Sequence, residues 1–396
     1  MNDPQIDLVL TDDWELRGDG SGDMRAMQFA TIRELVSIYN RFGLKGTFMA
    51  EVMQQVQHRR MAQEHPKLAV LAKEWEATLQ SVHAQGHDVQ MHLHLHWSGA
   101  CFEGEKWLLR SPWGVGDYSA AELRGMLENA KAYLEELLRP VNPGYRCCAF
   151  RAGSYLAAPS DHLLPTLAGL GIVTDVSVVP GWHLDTRFLG QRLFVDYRKV
   201  DEPYLPYYPA PGDFRRKGPR GPVHCVPTHS FQFGLIRKVQ RRIMNTLGVG
   251  RKELRQPSAV PPPGAGGNVY NRRAQAPGAA EPRWSSKLRG LMAPALRVSD
   301  LSEISFWEAK LMIEDIRRKA RRSCWKRVPV VITNHTKSIG DFGPIRQFAE
   351  YVAAAKDIRV LTLREVSDHL SAGRYPLDSV ERSGRPGSNG PSASDN

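Results

Sequence analysis

The chain has 396 residues, 42% hydrophobic and 24% charged, with a mean hydropathy of −0.40. That suits a large soluble α/β fold, and no apolar run approaches the ~20 residues of a membrane span. The net charge of +11 is uneven: −6 over residues 1–210, +17 over 211–330 and 0 over 331–396. A basic middle segment of that kind points to an anionic partner. Met1 to Leu10 carries no basic residue, so a secretory signal is not expected and the cytoplasm is. Five cysteines without a CxxC argue against a disulfide framework or a cysteine-built zinc site.

The elements follow in chain order. Ile6 to Leu10 reads as a buried strand, ending at Thr11-Asp12-Asp13-Trp14-Glu15. Phe29 to Phe42 has helical spacing and stops at Gly43. Lys45 to Met49 reads as a second strand, and Leu68 to His83 as an amphipathic helix ended by Gly86. Asp88 to His96 alternates strictly, as a third strand would. Ser119 with Glu122 is a capping box for a helix to Leu138. Cys148 to Phe150 leads into Arg151, Leu163 to Leu170 is a short helix, and Ile172 to Asp175 a further strand. Residues 256–283 carry Pro, Gly and Ala without periodicity and read as a disordered or mobile loop. Phe306 to Arg322 resumes a helix with a basic end, Pro329 to Thr333 is a buried strand, Phe348 to Ala355 a helix and Val360 to Leu363 the last strand. Strand–helix–strand repetition implies a parallel sheet or barrel.

Polar clusters close several of these strands, where sites in parallel α/β folds collect. Asp12 and Asp13 could divide two roles, since successive strand side chains diverge; a turn or helix cap is the plain alternative. His92, His94 and His96 share one face of a strand, whereas His92 and His96 share one face of a helix. Either geometry offers two imidazoles to a Zn²⁺. His58, His83 and His87 lack such a setting and read as surface residues. Arg151 could orient a carboxylate, and His335 could act as a general acid near neutral pH. Together these clusters suggest zinc-assisted hydrolysis by Asp and His.

Their order resembles that of the polysaccharide deacetylases, carbohydrate esterase family 4, over about residues 5–180 and 328–370. The motifs carrying the resemblance are Thr11-Asp12-Asp13, Gly86-His87-Asp88-Val89 with His92 and His96, Phe150-Arg151-Ala152-Gly153-Ser154-Tyr155, and Ile332-Thr333-Asn334-His335. The resemblance implies a distorted (β/α) barrel over 1–210 and 305–372. The basic, partly disordered insertion would span 211–304 and a disordered tail 373–396. It implies Asp12 as catalytic base held by Arg151, Asp13, His92 and His96 as ligands of a divalent metal such as Zn²⁺, and His335 as acid supported by Asp175. A backbone N–H near Ser154 would help bind the oxyanion. His94 stands as a rival ligand, and Leu93 replaces the family's usual Ser or Thr, which marks a divergent branch. Trp14, Trp97 and Tyr155 flank the motifs and either stack on a sugar or pack.

The implied activity is removal of an acyl group, N-acetyl above all, from a carbohydrate, with a surface-polysaccharide precursor in view. The alternatives are a non-catalytic carbohydrate-binding descendant and a hydrolase of a non-sugar amide. The basic segment suggests a nucleotide- or lipid-diphosphate-linked sugar, or peripheral docking on an anionic membrane. Nucleic acid ranks last, because residues 237–300 offer only Tyr270 and Trp284 for stacking.

Overall fold

The computed structural model describes residues 3–233 and 295–377. The expected loop at 256–283, the basic residues Arg237, Lys238, Arg241 and Arg242 of the +17 segment, Tyr270, Trp284 and the tail beyond 377 lie outside them.

The first half of the chain alternates strands and helices: β1 (Gln5–Trp14), α1 (Thr31–Arg41), β2 (Thr47–Glu51), α2 (Val52–Met61), α3 (Pro66–Ala84) and β3 (Asp88–Leu93). A small hairpin follows, β4 (Cys101–Glu103) and β5 (Lys106–Leu108), and then α4 (Ala120–Leu138), β6 (Ala149–Ala152), α5 (Leu163–Gly169) and β7 (Thr174–Asp175). Two further hairpins are β8 (His183–Phe188) with β9 (Gln191–Asp196), and β10 (Pro209–Ala210) with β11 (Asp213–Lys217). β12 (His224–Cys225) returns to the main sheet, and β13 (Ser230–Phe233) pairs with β14 (Ala295–Val298). The chain ends with α6 (Phe306–Ser323), β15 (Arg327–His335), α7 (Gly343–Ala354), β16 (Ile358–Leu361) and α8 (Leu363–Ser371).

The main sheet is parallel, in the order β12-β7-β6-β3-β2-β1-β15, with β16 also on β1. β1 is its spine. It pairs with β15 from Gln5↔Arg327 to Asp13↔His335, with β16 along Ile6–Val9 and with β2 along Thr11–Trp14. It is buried on both faces, which is why it reads as an apolar run, broken at Asp7 alone between Ile6 and Leu10, before the aspartates. The sheet curls until its ends meet. Thr228 N–H donates to Val178 on one side, and His229 N–H donates to Val331 on the other, both at 2.8 Å. The result is a distorted (β/α) barrel.

Two boundaries differ from expectation. Residues 224–233 and 295–301, assigned to the insertion, supply β12 and the closing segment of the barrel: Leu301 N–H donates to Thr333, and Thr333 N–H to Ser299. The start of the tail is also ordered, since Tyr375 is buried, stacks on Trp325 and donates its hydroxyl to Asp7 at 2.8 Å. The third strand stops at Leu93, and a 3-10 turn, Leu95–Trp97, takes its place. The cause is local. Glu51, at the end of β2, accepts the His94 N–H at 2.7 Å, so that donor leaves the ladder.

Candidate active site

The site is built where β1, β3, β6 and β15 end. Strand alternation decides which side chains reach it. Asp13 and Glu15 face the barrel interior, and Asp12 and Trp14 face the helices. The expectation that Arg151 holds Asp12 is therefore corrected. Asp12 accepts from Asn334 Nδ2 at 2.7 Å and from the Tyr39 hydroxyl at 3.0 Å. Burial pushes its pKa up to about 7, with the Asn334 and Tyr39 hydrogen bonds opposing. Trp14 stacks on Trp75 at 5.0 Å and packs against Phe29, so it reaches no ligand. The fully buried Arg151 guanidinium instead meets Asp13, and also donates to Thr11 Oγ1 at 2.8 Å and Thr333 Oγ1 at 3.3 Å.

Directly across the β1–β15 pair, His335 Nε2 lies 3.5 Å from Asp13 Oδ2. Its Nδ1 lies 2.7 Å from Asp300. Burial alone would lower the His335 pKa, but the Asp300 carboxylate outweighs it, with Asp13 adding, and raises it to about 9. Asp175, expected in the supporting role, is elsewhere. It accepts from Ser177 Oγ at 2.7 Å, and Ser177 accepts the Ala152 N–H at 2.8 Å, so Asp175 braces the strand that carries Arg151. Burial raises the Asp175 pKa to about 7, partly opposed by Ser177 and Arg151.

The second cluster is Glu15, Glu51, His92 and His94, all buried, with one candidate donor atom from each within 4.8 Å of the others. Asp13, Glu15 and His335 form an overlapping group by the same measure. His92 Nδ1–H donates to the Arg151 carbonyl at 3.0 Å, which fixes the ring and aims Nε2 into the cluster. Nε2 lies 3.3 Å from Glu15 Oε2, while His94 Nδ1 lies 2.9 Å from the same oxygen and 2.8 Å from Glu51 Oε2. Donors ~2.1 Å from a tetrahedral zinc sit about 3.4 Å apart, so Glu15, His92 and His94 suit a small divalent cation in type and spacing. Glu51 is more heavily committed: Oε1 caps α2 through Met53 and Gln54 N–H, and Oε2 takes the His94 N–H. As the cluster stands, burial raises and then Lys337, His94 and His92 hold the Glu15 carboxyl well below its usual range. Burial pulls His94 down, yet Glu15 and Glu51 raise its pKa to about 9.

His96, expected as the second imidazole ligand, is turned away by the 3-10 turn. Its Nε2–H donates to Gly18 at 2.9 Å, and its ring stacks on Trp113 at 3.4 Å. Burial, then His94, pushes its pKa well below the usual imidazole range. Asp13 also lies with Arg151 and His335 rather than with the His92–His94 pair. Trp97 packs against Trp107 and is buried. His58 and His87, read as surface residues, are buried too, and burial lowers both to about 4.

Gly153, Ser154 and Tyr155 turn the chain immediately after β6. Ser154 and Tyr155 have φ of 52° and 60°, a left-handed pair directly after Arg151. Gly153 is required by close approach, because a Cβ there would fall 2.4 Å from the His94 ring. The Tyr155 ring lies 6.4 Å from His335. Both border a cavity of about 110 Å³ with Trp182, Leu296, Val298 and Asp300.

Four partners were missed in the sequence, among them Glu51, which stands at the end of the second strand with no motif around it. Glu15 carried a signal, since Asp13-x-Glu15 is the alternation a strand end requires. Asp300 lies before α6 with no motif around it, and Lys337 stands two positions beyond His335.

Most of the described basic residues in 215–217 and 317–322 are paired internally. Arg215 meets Asp213, Arg216 meets Asp201 and Lys217 meets Glu202. On α6, Arg317 pairs with Asp357, Arg318 and Lys319 with Asp315, and Arg321 with Asp3. An anion seated on them must compete with these carboxylates. No helix among the described residues is long and apolar enough to cross a membrane.

No family model matches the sequence, and no curated protein does. Solved structures do. The chain is similar to a probable polysaccharide deacetylase from Pseudomonas aeruginosa PAO1, at 12% identity over 93% of this chain and 92% of that one, with a TM-score of 0.45. It is similar to a 4-alpha-glucanotransferase from Thermococcus litoralis, at 13% identity over 95% of this chain and 41% of that one, with a TM-score of 0.48. A family 4 acetyl xylan esterase from Clostridium thermocellum, in complex with cobalt, matches at 15% identity over 45% of this chain and 60% of that one, with a TM-score of 0.26.

Proposed function

We propose that this chain is a metal-dependent hydrolase of the polysaccharide deacetylase type, removing an N-acyl group from a carbohydrate. One observation carries the reading: a buried Asp13–Arg151 pair and a buried His335–Asp300 pair face each other beside the Glu15–His92–His94 cluster. Glu15, His92 and His94 would hold the cation, with Glu51 fixing His94. A divalent cation there lowers the pKa of a water and polarises a carbonyl.

The remaining roles belong to the chain's own groups. Asp13 takes a proton from the attacking water, and Arg151 keeps it aimed. The Ser154 and Tyr155 amides, on their left-handed turn, are assigned to the developing oxyanion. His335, kept protonated by Asp300, gives its proton to the leaving nitrogen. Tyr155 and the cavity beside His335 would receive the sugar. The charge excess of residues 211–330 supports a substrate carried on a nucleotide or lipid diphosphate, with an anionic membrane as a docking surface.

The test is metal analysis of the purified protein together with acetate release from N-acetylated sugars, free and diphosphate-linked. The reading expects one equivalent of zinc or a similar cation and metal-dependent release. Release that survives complete removal of metal contradicts it. Release only from non-sugar amides replaces the substrate class and keeps the chemistry.

A further inference from the structure

Lys337 has no part in the mechanism above, yet it is built into the site. It follows His335 by two positions, just as Glu15 follows Asp13, on the neighbouring segment of the β1–β15 pair. Its side chain is 7% exposed, and its ammonium lies 2.6 Å from Glu15 Oε1. The two imidazoles both approach the other oxygen, His92 at 3.3 Å and His94 at 2.9 Å from Oε2. The carboxylate is thus divided, with one oxygen held by a cation of the chain and the other turned to the imidazoles. A buried ammonium beside a carboxylate has two separable effects on a metal. Its N–H donors occupy Oε1 and so restrict the carboxylate to one-oxygen ligation. Its charge repels a divalent ion across a short, poorly screened distance.

We propose that Lys337 is a positioning residue that restricts Glu15 to one-oxygen ligation and weakens the site's hold on its cation, leaving room for water and a substrate carbonyl. The assignment rests on the metal-binding reading of the Glu15–His92–His94 cluster. Open coordination positions are what separates a catalytic metal site from a closed structural one. A carboxylate free to use both oxygens would fill one of them.

The experiment uses the full-length protein, with zinc alone and cobalt alone as probes. Zinc affinity is read by competition with a chromophoric chelator, and coordination by the visible d–d absorption of the cobalt form. Lys337→Gln keeps a donor for Oε1 and removes the charge. It should bind zinc at least tenfold more tightly, with the cobalt spectrum unchanged. Lys337→Met removes both effects and should bind more tightly still, with weaker cobalt absorption as coordination number rises. Lys337→Arg keeps charge and donors and should behave as the parent. Equal zinc affinity in the parent, Lys337→Gln and Lys337→Met overturns the assignment and leaves the metal reading standing. An unchanged cobalt spectrum in Lys337→Met overturns the one-oxygen restriction. Failure of the parent and every variant to bind zinc overturns both readings together.

Discussion

At the scale of single residues, the histidines separate most sharply. His94 is bonded at its backbone and its ring to Glu51, and His96 is spent on Gly18 and Trp113. His94→Ala should therefore lose most of its zinc, and His96→Ala should keep it. A chelator-competition titration of the two variants decides between them. The acid makes a second prediction. Asp300 holds His335 protonated up to about pH 9 against the pull of burial. The pH–rate profile should then fall above about pH 9, and in Asp300→Asn that limb should move at least one unit lower, because only burial would remain dominant. The same linkage acts on folding. A histidine raised above its usual ~6.5 stabilises fully below that pH, and the contribution is lost as pH rises through about 9. Denaturant titrations at pH 6 and pH 9.5 should show a larger drop in the parent than in Asp300→Asn.

Elements decide which of the sequence's candidates meet. Most strands and helices were legible, because β1 and β15 are buried on both faces and α4 is opened by the capping box of Ser119 and Glu122. Arg151, His92 and His335 could be found for the same reason, each standing at the end of such a strand. The face of each side chain was harder to read. Two adjacent aspartates look like a pair, yet a strand sends them to opposite sides, and Glu15 replaces the first of them at the interior. Strict alternation through His96 suggested a longer strand, whereas Glu51 captures the His94 amide and ends it. Asp300 was illegible because it reaches His335 only after the closing segment has crossed the barrel. The turn after β6 supplies a test at this scale. A Cβ at Gly153 would meet the His94 ring at 2.4 Å and its Cα at 2.8 Å. Gly153→Ala should keep the far-UV circular dichroism of the parent and bind zinc about 10–100-fold more weakly, the usual range for disturbing a ligand's support.

At the scale of the whole molecule, a frame of net −6 carries a segment of net +17. Its cations at 215–217, 317–319 and 321 are paired, so specific anion recognition there has to exceed those pairs, whereas diffuse attraction needs only the net charge. The KM for a diphosphate-linked sugar should rise steeply between 50 and 500 mM salt and that for the free sugar should not, as steady-state kinetics on both would register. Flotation with anionic and neutral vesicles separates docking on a lipid surface from recognition of the phosphates.

The central claim is that Asp13, and not its neighbour, is the base beside the cation. Acetate release and zinc content measured together on Asp13→Asn and Asp12→Asn test it most directly. Asp13→Asn should keep one equivalent of zinc and lose on the order of 10²–10⁴ in turnover, because an amide cannot take the proton. Asp12→Asn, whose side chain faces Tyr39 and Asn334, should keep both zinc and most of its rate. Near-normal turnover in Asp13→Asn, with the loss falling on Asp12→Asn instead, would contradict the account.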